Sequence, residues 1–199
     1  MKKIEFGPAT SAFPVATVLV SSQFGAERNL VTIAWTGFMN SQPPMVYIGV
    51  NPLRHSHHLI KEAGEFVINV PAVAMAEVVD YCGLVSGRNV DKFLETGLTP
   101  VPATYVQAPL IQECPINLEC RVTQVVVLKS HDVFIAEVLA VHYNEDVLND
   151  QGKPDLTKIH PYAYFGHEYW EVGPRVGSHG FSRKSKYLPL IMQLLAECL

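Results

Sequence analysis

Hydrophobic and polar positions alternate in short, strand-length runs along most of the chain, and a helical period appears in only a few places. Val15 to Ser22 reads as a first strand. Gln23 to Arg28, containing Gly25, is the turn that sends the chain back as Leu30 to Thr36, so the two runs form a hairpin. Gln42-Pro43-Pro44 breaks the chain and reads as loop before the apolar strand Met45 to Val50. Asn51-Pro52 then forces a turn, because a residue preceding proline is pushed out of the helical region. Ser56 is placed to cap a short helix through about Ala63, Gly64 suits the C′ position, and Glu65 to Val70 is the next strand.

Beyond Pro71, Val73 to Leu84 is the best helix of the chain: Val73, Ala76, Val79 and Leu84, with Val78 and Cys82 beside them, give one apolar face. Ser86 to Phe93 reads as an irregular polar loop, and the prolines at 100, 102 and 109 prevent any long strand between Thr99 and Cys114. The strongest β signal follows. From Pro115, Ile116, Leu118, Cys120 and Val122 fall on one face, and Asn117, Glu119, Arg121 and Thr123 on the other, as in a half-buried strand. It continues to Lys129, turns through Ser130-His131-Asp132 and returns as Val133 to Tyr143. Asn144 to Lys158 is loop-like, His160 to Trp170 is unusually aromatic, and Pro189 can open a short helix in the tail. Many short strands with few helices predict a mainly β fold with peripheral helices, an antiparallel barrel over residues 1–172 followed by a tail over 173–199.

Composition narrows the function. With 48% hydrophobic and 17% charged residues the chain has the makings of a folded core, and a net charge of −4 argues against nucleic acid as a partner. No apolar run is long enough for a membrane span, and MKKIEFGPATSAFP lacks the apolar segment of a signal peptide, so a cytoplasmic location is the default expectation. The four cysteines (Cys82, Cys114, Cys120, Cys198) form no CxxC pair, and Cys120 on the apolar phase of its strand reads as a buried small hydrophobe.

Candidate chemistry gathers between Asn29 and Asn69. A capped helix start offers unpaired N–H groups and partial positive charge, and here the Arg54 guanidinium and the Ser56 hydroxyl stand beside it, which together suit a phosphate. A solvated turn is the plainer reading of the same residues. His55, His57 and His58 are too closely spaced to face one metal from one helix, and His167-Glu168 is not followed by the second histidine of an HExxH motif. GxSxG, GxxxxGK[ST] and GxGxxG are all absent, which leaves hydrolase, nucleotide-triphosphatase and Rossmann readings without support.

The order NLxTxAW, then PP before an apolar strand, then NPxRxS, then EFVINVP resembles the flavin reductase-like family, whose members bind FMN in a split β-barrel; the likeness is greatest to its flavoredoxin-type members and covers roughly Phe13 to Tyr169. Many relatives carry threonine where this chain has Ser56, which keeps the hydroxyl. The resemblance implies an FMN cofactor. Its phosphate is expected at Arg54, Ser56 and the helix start, with Thr32 and Lys92 nearby, and Asn29 joins the set at the head of the first motif. The ring edge is expected on the backbone of Ile33, Ala34, Trp35 and Thr36 and of Gly49, Val50 and Asn51. Ring cover is expected from Trp35 and from Tyr164 and Phe165, often those of a dimer partner, with His131 as a further group on the flavin side. The implied role is redox, either a NAD(P)H-dependent flavin reductase or a flavoredoxin-like electron carrier working with a partner protein, in a homodimer. A non-catalytic FMN-binding or interaction protein on the same barrel, or a dimer without flavin, are the alternatives.

Overall fold

The computed structural model describes residues 1–10 and 12–184; the tail helix expected after Pro189 and Cys198 lie outside the described residues. Ser11–Val172 forms one compact unit. Its elements in chain order are β1 (Val15–Ala16), β2 (Val18–Phe24), β3 (Glu27–Ile33), β4 (Thr36–Ser41), β5 (Pro44–Val50), α1 (His55–Ala63), β6 (Glu65–Val70), α2 (Ala76–Leu84), α3 (Lys92–Thr96), β7 (Pro100–Val101), β8 (Leu110–Ile111), β9 (Ile116–Val127), β10 (Asp132–Tyr143), β11 (Tyr162–Phe165) and β12 (Glu168–Glu171). The fold is mainly β, a split barrel with helices at its margins.

Seven strands pair antiparallel in the order β3-β2-β6-β9-β10-β5-β4. The sheet curls so that one face encloses Val20, Val31, Ile48, Phe66, Leu118 and Phe134, and Ile60 of α1 closes this interior from one side. The outer face of β2 and β3 carries Leu19 and Leu30, and α2, α3 and β11 cover it with Val79, Cys82, Phe93 and Tyr162. β1, β11 and β12 form a separate three-stranded sheet.

The β2–β3 hairpin, β5, β6 and the long β9–β10 hairpin stand where the hydrophobic pattern puts them, and Cys120 is fully buried. Three expectations are corrected. The stretch after Trp35 is a strand rather than a loop: β4 pairs with β5 through a tight turn at Gln42-Pro43. It escapes the pattern because it is a sheet edge, with Phe38 and Met39 exposed. The segment ending at Phe93 contains a helix start, since Asp91 accepts from the N–H groups of Phe93 and Leu94 and caps α3. Finally, the polar face of β9 is not solvated along its first half.

Asn117 and Glu119 are buried under the proline-rich segment 103–111. The Glu119 carboxylate, fully enclosed, accepts from the backbone N–H of Thr104, Tyr105 and Val106 and from His142 Nε2 at 2.6 Å. The Asn69 amide oxygen accepts from Ile111 N–H and from Asn117 Nδ2. A buried polar group must find partners. Here the backbone of the irregular residues 104–106 and of Ile111 in the short strand β8 supplies most of them.

Candidate functional site

The curled sheet does not close. Among the described residues β3 pairs only with β2, yet its end runs against β5, and the Gly49 N–H donates to the Trp35 carbonyl at 2.7 Å where β3 gives way to β4. A β-carbon on Gly49 would stand 3.3 Å from Trp35 Cβ, so glycine lets the two strands approach. Along this seam lies a cavity of about 170 Å³, lined by Val31 to Trp35, Gly49, Asn51, Arg54 and His131. Residues from three separate stretches of chain converge there. Val31 is the one lining residue the sequence reading omits; as a plain β-branched core residue it carries no chemical signal.

One wall is aromatic. The Trp35 indole, 41% exposed, lies 4.2 Å centroid to centroid from the His131 imidazole at 47°. Ala34 and Trp35 fall between β3 and β4, outside the registers of both; the Trp35 carbonyl is taken by the Gly49 N–H, and the Ala34 backbone lines the cavity outside any strand pairing. Burial, with the Arg54 charge adding to it, holds His131 below the ordinary histidine value, so its imidazole is neutral at pH 7. Nδ1 is hydrogen-bonded to the Ser130 hydroxyl at 3.1 Å.

Arg54 stands at the other wall. It is exposed, and among the described residues no carboxylate pairs with it. The turn that holds it is built as the Asn51-Pro52 pair predicts: Asn51 Oδ1 accepts from Leu53 N–H and the Asn51 carbonyl from Arg54 N–H, both at 2.9 Å. Arg54 itself, with extended backbone, is the N-cap of α1. Ser56 is therefore not the cap. It lies inside the first turn, fully buried, and its hydroxyl accepts from Asn29 Nδ2 at 3.0 Å. Gly64 ends the helix in the left-handed conformation, as expected.

Behind the cavity lies a layer of committed polar groups. Lys92 is 3% exposed, and its ammonium donates to the carbonyls of Leu30 (2.7 Å) and Cys82 (2.6 Å), tying β3 to α2. Burial lowers its pKa to about 8; the Cys82 thiol opposes that shift and the Arg54 charge assists it. The Thr32 hydroxyl donates to the Val79 carbonyl. Gly87 packs directly on the Asn29 amide, where a β-carbon would lie 2.1 Å from Oδ1. A pair that sequence alone does not announce, His57 Nε2 and Asp132 Oδ2 at 2.8 Å, joins α1 to the start of β10 and so fixes the spacing between Arg54 and His131.

The remaining residues implied by resemblance stand apart. Thr36 donates its hydroxyl to the Tyr47 carbonyl at 2.8 Å, and Val50 is buried in the barrel interior; neither lines the cavity. Tyr164 and Phe165 belong to the small sheet, where Tyr164 packs on Tyr169, and they do not reach the cavity of their own chain.

Known proteins share this fold. The family model described as "Flavin reductase like domain" matches residues 10–173. The chain belongs to the flavin reductase-like family. Among solved structures it is similar to the flavoredoxin of Desulfovibrio vulgaris (Miyazaki F), at 34% identity and a TM-score of 0.85, over 93% of this chain and 100% of that one. The flavoredoxin from Methanosarcina acetivorans is similar at 32% identity and the same TM-score of 0.85, over 96% of this chain and 100% of that one. An uncharacterized protein of Archaeoglobus fulgidus is 36% identical over 159 residues, which are 79% of this chain and 88% of the relative. This family member has no helix, among its described residues, long and apolar enough to cross a membrane.

Proposed function

We propose that this chain is a flavoredoxin-type redox protein that binds FMN in the seam of its barrel and works as a homodimer. The observation that carries the reading is the cavity itself: a half-exposed tryptophan packed against the tilted ring of a histidine on one side, and on the other an exposed arginine without a carboxylate partner among the described residues. These residues fit the cofactor. A flat aromatic ring against Trp35 covers apolar surface that water otherwise wets. Backbone at Ala34 and the Trp35 N–H face the ring edge, and Arg54 offers a forked donor to the phosphate dianion.

When bound, FMN supplies the electron and hydride chemistry. The chain's own residues hold and orient it. His131 braces the indole and presents a neutral imidazole, which adds no charge beside the ring. Asn29, Ser56 and Lys92 from behind the cavity, and the Thr32 hydroxyl from its lining, fix β3, α1 and α2 relative to one another. The cavity of about 170 Å³ is open along one side. Cover for the outer ring face then comes from Tyr164 and Phe165 of a second copy, the basis for proposing a homodimer. Electrons arrive from NAD(P)H or from a partner protein.

Fluorescence titration of FMN tests the reading through Arg54. Arg54→Ala is expected to weaken FMN by about 1.5–3 kcal/mol, the loss of a charge-assisted phosphate bond, and riboflavin binding is expected to stay as it was. Equal FMN affinity in the variant and the parent removes Arg54 from the site.

A further inference from the structure

Among the described residues lining the seam cavity, two carry ionisable side chains, Arg54 and His131. A guanidinium stays charged throughout the pH range of a folded protein, so His131 alone can change the charge of this lining near neutral pH. Its imidazole is half-buried and packs on the Trp35 indole, with ring centroids 4.2 Å apart. A flat ring held against Trp35 therefore has this imidazole as a neighbour.

Few charged groups surround it. Arg54 faces it from the turn before α1. Lys129 and Asp132 flank it in its own β9–β10 turn, and Asp132 Oδ2 is taken by His57 Nε2 of α1 at 2.8 Å. Trp35, from the junction of β3 and β4, and Gly49 and Asn51, from β5 and the turn after it, bring no charge. Burial first, and the Arg54 charge second, disfavour the imidazolium. A bound and reduced flavin opposes both influences. The phosphate dianion offsets Arg54, and two electrons with one proton leave the ring system with a negative charge. An opposite charge within about 4–6 Å of a titratable group favours its charged form, moving its pKa by about 1–3. The Ser130 hydroxyl, 3.1 Å from His131 Nδ1, suits both forms of the ring, because it donates to a bare nitrogen and accepts from a protonated one.

We propose that His131 is the redox-linked proton acceptor of this site: its imidazole takes up one proton when the bound flavin is reduced and releases it on reoxidation. The proposal rests on the FMN reading. Two electrons and two protons are taken up in all. One proton ends on the flavin, arriving with the electrons as hydride or separately from water, and the second passes from water to the imidazole. Near pH 7 the oxidised, uncharged ring then faces a neutral imidazole, and the reduced anion faces an imidazolium.

The test is the pH titration of His131, followed by NMR of the full chain carrying FMN and ¹³C-labelled histidine, first oxidised and then reduced anaerobically with dithionite. The resonance is assigned by its loss in His131→Gln or, should that variant not fold, by its contacts with the Trp35 indole. Reduction is expected to raise the His131 pKa by about 1 or more. Potentiometry of the parent supplies a second reading. Each proton taken up with two electrons lowers the midpoint potential by about 30 mV per pH, so the slope is expected to be about 60 mV per pH between the two His131 pKa values. A His131 that titrates alike in both redox states, or a slope of about 30 mV per pH in that window, overturns the inference and leaves the FMN reading intact. A protein that binds no FMN removes the FMN reading, and this inference falls with it.

Discussion

Replacing Gly87 with alanine puts the geometry behind the cavity under direct strain. Gly87 is outside the left-handed region, so its need for glycine is steric. The added β-carbon meets Asn29 Oδ1 at 2.1 Å, Cγ at 2.4 Å and Nδ2 at 2.7 Å, whereas ordinary contact begins near 3.4 Å. Either the 86–91 loop lifts or the Asn29 amide swings by more than 1 Å, and the second course breaks its 3.0 Å bond to Ser56. Asn29 is 4% exposed and Ser56 fully buried, so water does not replace that bond. Leaving the pair unmade costs about 1–3 kcal/mol, and overpacking adds about 1–3 kcal/mol. For a chain of this size that lowers the melting temperature by roughly 4–24 °C. Thermal unfolding followed by circular dichroism reads it. The cause is isolated by Asn29→Ala, which removes the clashing atoms: in that background Gly87→Ala should cost far less, giving a coupling of about 1 kcal/mol or more. Melting within about 1 °C of the parent for Gly87→Ala, or strict additivity of the pair, refutes the steric argument.

Other perturbations reach other parts of the account. Trp35→Ala should shift the visible bands or the potential of bound FMN, because it removes the indole packed against His131 from the cavity wall; a spectrum identical to the parent's would make Trp35 a packing residue only. Asp132→Ala should weaken FMN about tenfold and more than Asp132→Asn does, since the amide still bonds the His57 ring and keeps the two walls spaced; equal losses would reject a spacing role. Glu119→Gln should destabilise by about 2–4 kcal/mol, read by urea unfolding, because a charged acceptor for three backbone N–H groups and His142 is lost from a buried site. The same carboxyl sets a pH dependence. Burial pushes its pKa up, but the N–H groups of Thr104 and Tyr105 and the His142 ring outweigh burial and hold it below the ordinary value. Its contribution is therefore complete above the unfolded-chain value near 4.3 and lost as pH falls through the lower folded one. The parent should lose stability below about pH 4.5 more steeply than Glu119→Gln, and parallel curves would count against this assignment.

The parts of the fold that alternate cleanly were legible in the residues. β2–β3, β5, β6 and β9–β10 follow from apolar spacing and turn residues, and Gly64 marks the end of α1 as a left-handed residue should. β4 was not legible, because an edge strand buries neither face and TGFMNS has no alternation to read. The burial of Glu119 was hidden for the opposite reason: a charged residue on the polar phase of a strand looks solvated until a loop from elsewhere in the chain covers it. Within the candidate site, Trp35, Asn51 and Arg54 were named from the motifs, Gly49 as a small residue at a strand end and His131 from the family resemblance, and they do meet in one cavity. Ser56 was misjudged as a cap because the turn at Asn51 starts the helix two residues earlier than the hydroxyl implies. The His57–Asp132 bond joins residues 75 apart, and no local pattern could announce it.

The central claim is that the seam holds a flavin and that the protein passes electrons through it. Its most direct test is the visible spectrum of the freshly purified protein, recorded before and after anaerobic addition of NADH or NADPH and then dithionite. The account predicts the bands of oxidised flavin at one FMN per chain, and their bleaching. Bleaching by pyridine nucleotide identifies a reductase, and bleaching by dithionite alone identifies a carrier that takes electrons from a protein. A colourless protein that also fails to bind added FMN contradicts the account.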